Sequence, residues 1–497
     1  MFKKSSRFQI IVVFLFFFVI GWFLFTFRIL NVPPGINGDE AVIGYNAALV
    51  AKSGFDSNGK FLPLFTASAG SRDWKQPVTF YSTVLAFRIF GTTYFVLRAV
   101  SVLFVLLSGI LIFLLVYELV ELKAALWSLL IFATTPIVMI QSHLALENIA
   151  PVPFIAFFLW MMVKYSKKKK VGFLVMAATT LALSVFSYLG LRIMAPSLIV
   201  LTILFIYYLN KVYARLAVRK ILIFLTVFIP FFLVLVVAKV NYPGSLLGLY
   251  RSFEITSYQQ FILTYISSFD WSFLFINGDV TPYHSTGKHG MFLLASLPLF
   301  LLGIASIIQK KRPILFFIIA VFFFMPIFFG LASDIHRASR LLSLVPPYIV
   351  ISSLGMLVLT GMRNGLWRVM FIFIVTTMII FNFADFVKDY WYEYPKRVKS
   401  EFSKPYQLVF ERAASLSKLN NLTPFIQGDF RRQDVIAENF FEQVYFPNGL
   451  KTWNDNQMLP EKSIIIVSDY LISKRQDIPQ EKIGDGDFGI LINNESK

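Results

Sequence analysis

Long apolar segments alternate with short polar segments along most of the chain. A helix needs roughly 20 predominantly apolar residues to cross the hydrocarbon core of a bilayer. By this criterion the pattern predicts about eleven membrane spans, near residues 9–30, 96–118, 124–142, 148–165, 171–188, 193–210, 221–240, 291–309, 313–331, 341–361 and 367–385.

The pattern differs outside these spans. Residues 78–90 are apolar but too short to cross, so we expect an amphipathic helix lying along the outer membrane surface. Beyond the last span charged positions become frequent, and Ser463–Ser468 has the composition of a strand. The apolar spacing of residues 406–418 and 433–444 is helical. These features predict a small C-terminal α/β domain.

The expected fold class is therefore an all-α polytopic membrane protein with a small soluble α/β domain at its C-terminus. We assign residues 1–395 to the membrane module and residues 396–497 to the soluble domain. Within the membrane module, the main outer-face loops are expected at residues 31–95 and 241–290.

Composition supports the membrane class. The chain of 497 residues is 57% hydrophobic, contains 56 phenylalanines and has a mean hydropathy of +0.68, which a soluble domain cannot bury. The absence of cysteine excludes disulfides, thiol catalysis and cysteine-ligated metals. A net charge of +18 would suggest nucleic-acid binding in a soluble protein. Here the positive residues form short clusters between spans, so topology explains them and no nucleic-acid partner is expected.

Lysine and arginine clusters mark the cytoplasmic loops of membrane proteins. Lys3, Lys4 and Arg7 precede the first span and no cleavage motif follows it, so we expect an uncleaved span with a cytoplasmic N-terminus. An odd number of spans then places residues 396–497 outside the cell. The clusters that fit this orientation are Lys164 with Lys167–Lys170, Lys211 with Arg215, Arg219 and Lys220, Lys310–Arg312, and Arg363 with Arg368.

Two neighbouring acids, Asp39 and Glu40, follow the first span behind the turn Pro33-Pro34-Gly35. Carboxylates at a membrane surface anchor a helix poorly, but they suit a substrate whose reactive end lies at headgroup level. We therefore expect a general base or a substrate-orienting acid here. The alternative is that Asp39 only caps a helix beginning near Ala41, which would leave its neighbour unexplained.

A further acid, Glu147, lies in the tight outer hinge Gln141–Asn148 between two predicted spans. An acid near the bilayer boundary is costly to desolvate, which favours a functional role as a second carboxylate facing Asp39. The alternative is an ordinary helix start before Pro151.

Arg72 and Lys75 flank Trp74 immediately before the predicted surface helix. Their cationic groups are suited to gripping a lipid phosphate. Tryptophan beside lysine is equally typical of an interfacial anchor, so both interpretations stay open.

Other cations occur at outer hinges, although lysine and arginine prefer inner loops. Arg192 follows Tyr188 at one hinge, where we expect both side chains to bind substrate. His336, Arg337 and Arg340 occupy another hinge. An exception to the charge bias suggests an anionic partner, and a phosphate is a natural one. The alternative is pairing with Asp334 or with an acidic lipid headgroup.

The glycine-rich outer loop 277–290 carries His284 and His289. Two histidines in such a loop are weak evidence for a metal site. We therefore expect His284 to bind substrate and expect no cofactor, with a divalent cation as the alternative.

The order of these motifs resembles the membrane glycosyltransferases of the GT-C fold, in particular the protein O-mannosyltransferase and lipid A aminoarabinose-transferase group (family 39-like). The likeness covers roughly residues 9–395. It rests on the acidic pair, Lys75-Gln76-Pro77 before the surface helix, Leu146-Glu147 at a hinge, Tyr188-x3-Arg192-x3-Pro196, the Gly278-Asp279 loop that leads to His284, and His336-Arg337-x2-Arg340.

This resemblance implies transfer of a sugar from a polyprenyl-phosphate-linked donor to a protein, lipid or glycan acceptor at the outer face, with inversion. By the same resemblance, Asp39 is the catalytic base or orients the acceptor, Glu40 stands beside it, and Glu147 matches the second acidic position. The carrier phosphate would be surrounded by Lys75, Arg192, His336, Arg337 and Arg340. Gln76 departs from the family pattern, where many relatives have a second proline.

Two other classes remain as alternatives. A flippase or transporter of lipid-linked glycans would also span the membrane many times, but it should carry ionisable groups at mid-membrane, and the predicted spans have almost none. A glycan ligase or polymerase would share the outer cationic site and differ in its acceptor.

Overall fold

The computed structural model describes residues 7–67, 73–245, 257–331, 338–402, 404–428, 430, 435–474, 479–483 and 488–494. The chain divides into two compact units. Unit 1 comprises Met1–Phe27, Arg72–Thr79 and Arg98–Tyr392, and unit 2 comprises Arg28–Ser71, Phe80–Leu97 and Glu393–Lys497. Unit 2 thus contains the predicted C-terminal domain together with most of the predicted loop 31–95. The boundary at residue 396 stays a prediction.

Helices dominate the chain up to the C-terminal region. The first are α1 (Arg7–Thr26), α2 (Gly38–Ser53), α3 (Pro77–Phe90), α4 (Tyr94–Leu119), α5 (Leu122–Ala133), α6 (Pro136–Ser142), α7 (Pro151–Lys168), α8 (Val171–Ser184) and α9 (Leu189–Asn210). They are followed by α10 (Ala214–Thr226), α11 (Phe228–Asn241), α12 (Tyr258–Ser267), α13 (Leu297–Lys310), α14 (Pro313–Phe324), α15 (Ala338–Leu341), α16 (Val345–Thr360), α17 (Gly365–Lys388) and α18 (Tyr394–Arg397). Short 3-10 or π turns lie at Glu147–Ile149, Ser272–Ile276, Leu294–Ser296, Met325–Leu331, Leu342–Leu344, Asp389–Glu393 and Lys399–Glu401.

Among the described residues, eight helical segments are long and apolar enough to cross a membrane, and the pair α5 and α6, bent by 61°, makes up to nine. Eight segments in one chain make this a multi-pass membrane protein, as the hydropathy pattern predicted. Two predicted spans, 171–188 and 291–309, form the shorter apolar helices Val171–Ser184 and Leu294–Lys310. The first is short because the chain leaves α8 in a turn and begins α9 at Leu189.

The predicted inner turns have a local cause. Helix α7 ends at Lys168 and α13 ends at Lys310, and in each case the next lysine adopts a left-handed conformation, with φ of 55° at Lys169 and 48° at Lys311. A left-handed C-cap satisfies the last helical carbonyls and reverses the chain at once. The charged clusters therefore lie in tight turns at the ends of α7 and α13.

The centre of unit 1 is α16, which packs against α13 and α5. A Cβ on Gly303 of α13 would lie 1.9 Å from the carbonyl oxygen of Ile351, and one on Gly355 of α16 would lie 1.8 Å from that of Leu299. Only glycine fits at both positions, so the two helices touch backbone to backbone. This close contact forms part of the scaffold on which the polar hinges of unit 1 are built.

Unit 2 contains a mixed five-stranded sheet in the order β2-β1-β3-β5-β4. Its elements are α19 (Lys404–Asn420), β1 (Thr423–Gln427), α20 (Val435–Tyr445), β2 (Lys451–Trp453), β3 (Ser463–Ser468), α21 (Asp469–Lys474), β4 (Gln480–Ile483) and β5 (Phe488–Asn493).

Strand β1 pairs in parallel with β2 and β3, whereas β5 runs antiparallel to β3 and β4. Phe425 lies opposite Ile465, which in turn lies opposite Leu491. Every residue of β3 is buried. The predicted strand Ser463–Ser468 and the two predicted helices are confirmed, as is the α/β character of the domain.

Candidate active site

The acidic pair lies in the first turn of α2, where its two carboxylates have different surroundings. Asn37 is the N-cap: its Oδ1 accepts a hydrogen bond from the main-chain N–H of Glu40 at 2.9 Å. Oε2 of Glu40 accepts one from the N–H of Asn37 at 3.2 Å, which completes a capping box. Glu40 is buried and Asp39 is exposed. The alternative that Asp39 caps the helix is therefore wrong.

In unit 1, Gln76 joins two hinges that the sequence presented separately. Its main-chain N–H donates to Oε1 of Glu147, and its side-chain oxygen accepts from Nη2 of Arg192. Its side-chain nitrogen donates to the carbonyl of Trp74 at 3.1 Å. Gln76 is fully buried, so these bonds form away from competing water and fix the Glu147 and Arg192 hinges together.

All three guanidinium nitrogens of Arg192 are hydrogen-bonded. In addition to the bond with Gln76, Nε donates to the carbonyl of Val185 at 3.0 Å and Nη1 donates to the carbonyl of Ser245. Burial disfavours the charge of Arg192, and the attraction of Glu147 partly offsets that cost. The protein thus holds this cation in one orientation, as preorganised binding of an anion requires.

Lys75 is buried beside Gln76, with Nζ 2.5 Å from Oδ2 of Asp73. The neighbouring Trp74 donates from Nε1 to the carbonyl of Pro243 at 2.9 Å and meets the ring of Tyr242 edge-on. The segment is therefore fixed on both sides of Lys75. Arg72, the other predicted cation of this motif, lies outside the described residues.

His284 reaches the Glu147 hinge through Gln141. Nε2 of Gln141 and Nδ1 of His284 are 2.9 Å apart, and Oε1 of Gln141 accepts from Asn148 at 3.4 Å. The side-chain amide of Gln141 thus links the imidazole of His284 to Asn148 in the hinge. Loop 277–290 and the hinge thus meet, as expected for one binding site.

His289 has different partners: Oγ1 of Thr286 and Oδ2 of Asp385, each at 3.1 Å. The two histidines of the loop are therefore engaged separately. Within the described part of the chain, no group of three or more His, Cys, Asp or Glu side chains is placed to hold a metal ion.

Asp279 connects the same loop to the hinge before α16. Its Oδ1 accepts from the N–H of Thr281 at 2.8 Å, and its Oδ2 accepts from the N–H of Ala338, the first residue of α15. Helix α15 packs against the turn Glu147–Ile149 and carries the half-buried Arg340. Arg340 is thereby brought to the Glu147 hinge. His336 and Arg337 lie outside the described residues.

Tyr188 is the N-cap residue of α9 and is half-buried. A Cβ on Gly190 would lie 2.5 Å from Cε1 of its ring, so the ring folds back over the first turn of the helix that carries Arg192. Its predicted role in substrate binding stays a prediction.

Arg98 was not singled out from the sequence. It is one of the largest fully buried side chains of the described residues and lies in the first turns of α4. Ser101, three residues further along the same helix face, donates to the carbonyl of Leu144 in the Glu147 hinge at 2.7 Å. An arginine inside an apolar span was the signal that could have found it.

Three of these hinges share a position relative to the helices. Glu147 precedes α7, Arg192 lies in the first turn of α9, and Arg340 precedes α16. The opposite ends of the same helices lead into Lys169, Lys211 and Arg363. The hinge residues Glu147, Arg192 and Arg340 thus lie at the ends of α7, α9 and α16 that are opposite to these basic positions.

Comparison with known proteins gives matches at the level of family and fold. Residues 75–238 match the family described as dolichyl-phosphate-mannose-protein mannosyltransferase. No curated protein sequence gives a significant match to the chain.

Among solved structures, ArnT from Cupriavidus metallidurans in the apo state is similar with a TM-score of 0.56 and 13% identity, covering 99% of this chain and 100% of that one. The same protein bound to undecaprenyl phosphate gives a TM-score of 0.51 at 13% identity, covering 99% of each chain. The archaeal oligosaccharyltransferase AglB from Archaeoglobus fulgidus gives 0.51 and 13%, covering 95% of this chain and 71% of that one.

At this identity the solved structures establish the fold, and the family match covers the segment that contains Lys75, Gln76, Glu147 and Arg192. The resemblance found in the sequence motifs is confirmed. The chain is a multi-pass membrane protein with the GT-C fold of these solved structures, and residues 75–238 match a glycosyltransferase family.

Proposed function

We propose that this enzyme transfers a sugar from a polyprenyl-phosphate-linked donor to a hydroxyl group of a protein, lipid or glycan acceptor at the outer face of the membrane. The observation that carries the proposal is the group of side chains fixed around Gln76. Arg192 and Glu147 bind Gln76 directly, and Lys75 is its neighbour in the chain. A cation held rigidly at the end of apolar helices suits a phosphate attached to a lipid.

The relatives support the nature of the donor. One ArnT structure contains undecaprenyl phosphate, and the AglB structure contains dolichol-phosphate with an inhibitory peptide. Both ligands are polyprenyl-type phosphates, and the family matched by residues 75–238 is named for a dolichyl-phosphate sugar. We assign the same class of donor to this chain, with membrane lipids surrounding its helices.

Charge distribution supports the sidedness of the reaction. The turns that end α7 and α13 are rich in lysine, and cytoplasmic loops carry this excess. Glu147 lies at the other end of α7, and Arg192 lies at the end of α9 opposite Lys211, so both residues are then on the outer side. In this orientation the N-terminus is cytoplasmic and residues 396–497 are extracytoplasmic.

The reaction requires few catalytic side chains because the donor already has a good leaving group, the polyprenyl phosphate. The C1–O bond to the phosphate breaks, and the electron pair stays on the phosphate oxygen. Arg192, Lys75 and Arg340 would stabilise the negative charge that develops there. Glu147 would keep Arg192 and the main chain of Gln76 in place.

The acceptor oxygen forms the new bond to C1 as its proton passes to a carboxylate. Asp39 is suited to this role because it is exposed, whereas its neighbour Glu40 is already used by the cap of α2. A single displacement inverts the anomeric centre. No cofactor takes part in these steps, and a requirement for a divalent cation is the alternative to be tested.

The proposal is tested with purified protein in liposomes that contain a polyprenyl-phosphate sugar labelled in the sugar. The expected result is a glycosylated acceptor of opposite anomeric configuration, formed together with free polyprenyl phosphate. Movement of intact donor across the bilayer without a new glycosidic bond would contradict it and indicate a flippase. Transfer of several linked sugars in one step, seen as a larger increase in product mass, would indicate a ligase or polymerase.

A further inference from the structure

The acidic helix α2 packs against α20 of the C-terminal region, within unit 2. A Cβ on Gly44 of α2 would lie 2.7 Å from Cδ2 and Cε2 of Phe440 in α20 and 2.9 Å from Cδ2 of Leu97. Phe440 is fully buried and its ring is rigid. The α2 backbone therefore rests directly on this ring, with no room for a methyl group between them.

A second contact holds the turn before α2. The hydroxyl of Tyr94 donates to the carbonyl of Gly35 at 2.5 Å, two residues before the N-cap Asn37. The ring of the same tyrosine meets Phe441 edge-on at 5.7 Å and Phe440 at 6.3 Å. One buried side chain thus connects the entry of the acidic helix to α20.

The far end of α2 is fixed as well. Nζ of Lys52 donates to the carbonyl of Pro447, just beyond α20, at 2.9 Å. Helix α20 is in turn bonded to the segment before β2: Oε1 of Glu442 accepts a hydrogen bond from the N–H of Leu450 at 2.7 Å. Helix α2 is therefore held before its start by Tyr94, in its middle by Phe440 and at its end by the carbonyl of Pro447.

We propose that helix α20 positions the acidic helix α2, with Phe440 as the positioning residue that sets the place of the Asp39 carboxylate. Asp39 precedes Gly44 by five residues in the same helix, roughly 7.5 Å along the axis at 1.5 Å per residue. A helix transmits a shift at one point to its whole length. The inference rests on the proposed function, because it gives the C-terminal domain a part in the reaction through Asp39.

The test uses the full chain with three variants: Gly44→Ala, Phe440→Leu and the double variant. The added methyl group in Gly44→Ala would lie 2.7 Å from the ring of Phe440, so α2 and the ring must move apart. A displacement of about 1 Å at a reacting group costs roughly 100-fold in rate. We therefore expect kcat to fall by about 10- to 100-fold, with KM for the donor nearly unchanged. Phe440→Leu removes the ring that the methyl group meets, so the double variant should recover much of the loss.

Gly172→Ala is the matched control. Gly172 also lies within a helix, but nothing is within 4 Å of a Cβ placed there. If Gly44→Ala behaves like this control, or if the losses of the single variants multiply in the double variant, the proposal is overturned. A loss confined to KM for the donor would also overturn it.

Hydrogen exchange supplies a readout that does not depend on activity. In Gly44→Ala, exchange should rise in residues 38–53 and 435–445 and return towards the wild-type rate in the double variant, while residues 345–360 of α16 stay unchanged. Unaltered exchange in α2 and α20 would contradict the coupling. If wild-type protein shows no sugar transfer, the proposed function fails, and the exchange experiment still decides whether the two helices are coupled.

Discussion

The main-chain N–H of Gln76 donates a hydrogen bond to the carboxylate of Glu147. Proline has no N–H, so a proline at this position would remove the bond. Gln76 therefore supplies a main-chain donor that a proline at this position could not. Its side-chain amide adds the contact with Arg192.

The variants Gln76→Ala and Gln76→Pro distinguish the main-chain bond to Glu147 from the side-chain bond to Arg192. Both lose the amide that binds Arg192, but only the proline variant also loses the donor to Glu147. A hydrogen bond to a charged group contributes about 1.5–3 kcal/mol, so we expect the proline variant to be about tenfold or more below the alanine variant in kcat/KM. Steady-state transfer assays measure the difference. Equal activity of the two variants would show that the Glu147 bond has no part in the reaction.

Substitutions at the neighbouring acids Asp39 and Glu40 should have different effects on sugar transfer. Asp39→Asn removes the proposed base, and general base catalysis contributes about 100- to 10,000-fold, so transfer should fall by that factor without loss of stability. Glu40→Gln keeps an acceptor for the N–H of Asn37, since glutamine also serves in capping boxes. It should retain most of the activity.

Thermal unfolding in detergent completes this comparison. Glu40→Ala removes the hydrogen bond that the Glu40 carboxylate accepts from Asn37 and should destabilise the protein by about 1.5–3 kcal/mol, the contribution of a hydrogen bond to a charged group. Asp39→Asn should unfold at the wild-type temperature. The assignment of base and cap to these two acids would be wrong if Glu40→Gln abolished transfer while Asp39→Asn did not.

The long spans, the lysine turns and the cap of α2 are encoded in local stretches of the sequence. Hydropathy predicted the long spans because each is a continuous apolar run, and the turns at Lys169 and Lys311 follow from charged positions at helix ends. The cap of α2 was also visible in the sequence: Asn37 followed three residues later by Glu40 is a capping-box signature. The interpretation of Asp39 as a cap overlooked that signature.

Gln76 could not have been found in this way. Its partners Glu147 and Arg192 are separated from it by 71 and 116 residues, and nothing in Lys75-Gln76-Pro77 indicates either of them. The packing of Gly44 on Phe440 is hidden for the same reason, because it depends on tertiary structure that joins distant segments. Hydropathy and local motifs predict elements, whereas the contacts that hold a site depend on the fold.

Removal of divalent cations tests the expectation that no cofactor is needed. In the proposed mechanism, Arg192, Lys75 and Arg340 neutralise the leaving phosphate without a metal. We expect transfer to continue in EDTA at the rate seen in untreated protein. Loss of activity in EDTA that Mg²⁺ or Mn²⁺ restores would establish the alternative of a divalent cation. Ca²⁺, added in place of Mg²⁺ or Mn²⁺ after EDTA, distinguishes a specific metal site from general screening of lipid charge, because screening would restore activity with any of the three ions.

Arg98 provides the last prediction, which concerns stability. Its side chain is fully buried in α4, one turn from the Ser101 contact with the Glu147 hinge. A buried guanidinium persists only with hydrogen-bonding partners, and its removal leaves those groups buried and unpaired. Arg98→Ala should therefore lower the free energy of unfolding by about 3–5 kcal/mol.

Arg88→Ala is the control, because Arg88 is exposed and bonds only to main-chain carbonyls of α2 among the contacts described. Its removal should change stability by about 0.5 kcal/mol or less. Thermal unfolding of the two variants in the same detergent gives the comparison. Arg98→Lys should recover part of the stability, since it restores the charge but not the planar set of donors. If Arg98→Ala unfolds at the same temperature as Arg88→Ala, the buried arginine does not stabilise this end of α4.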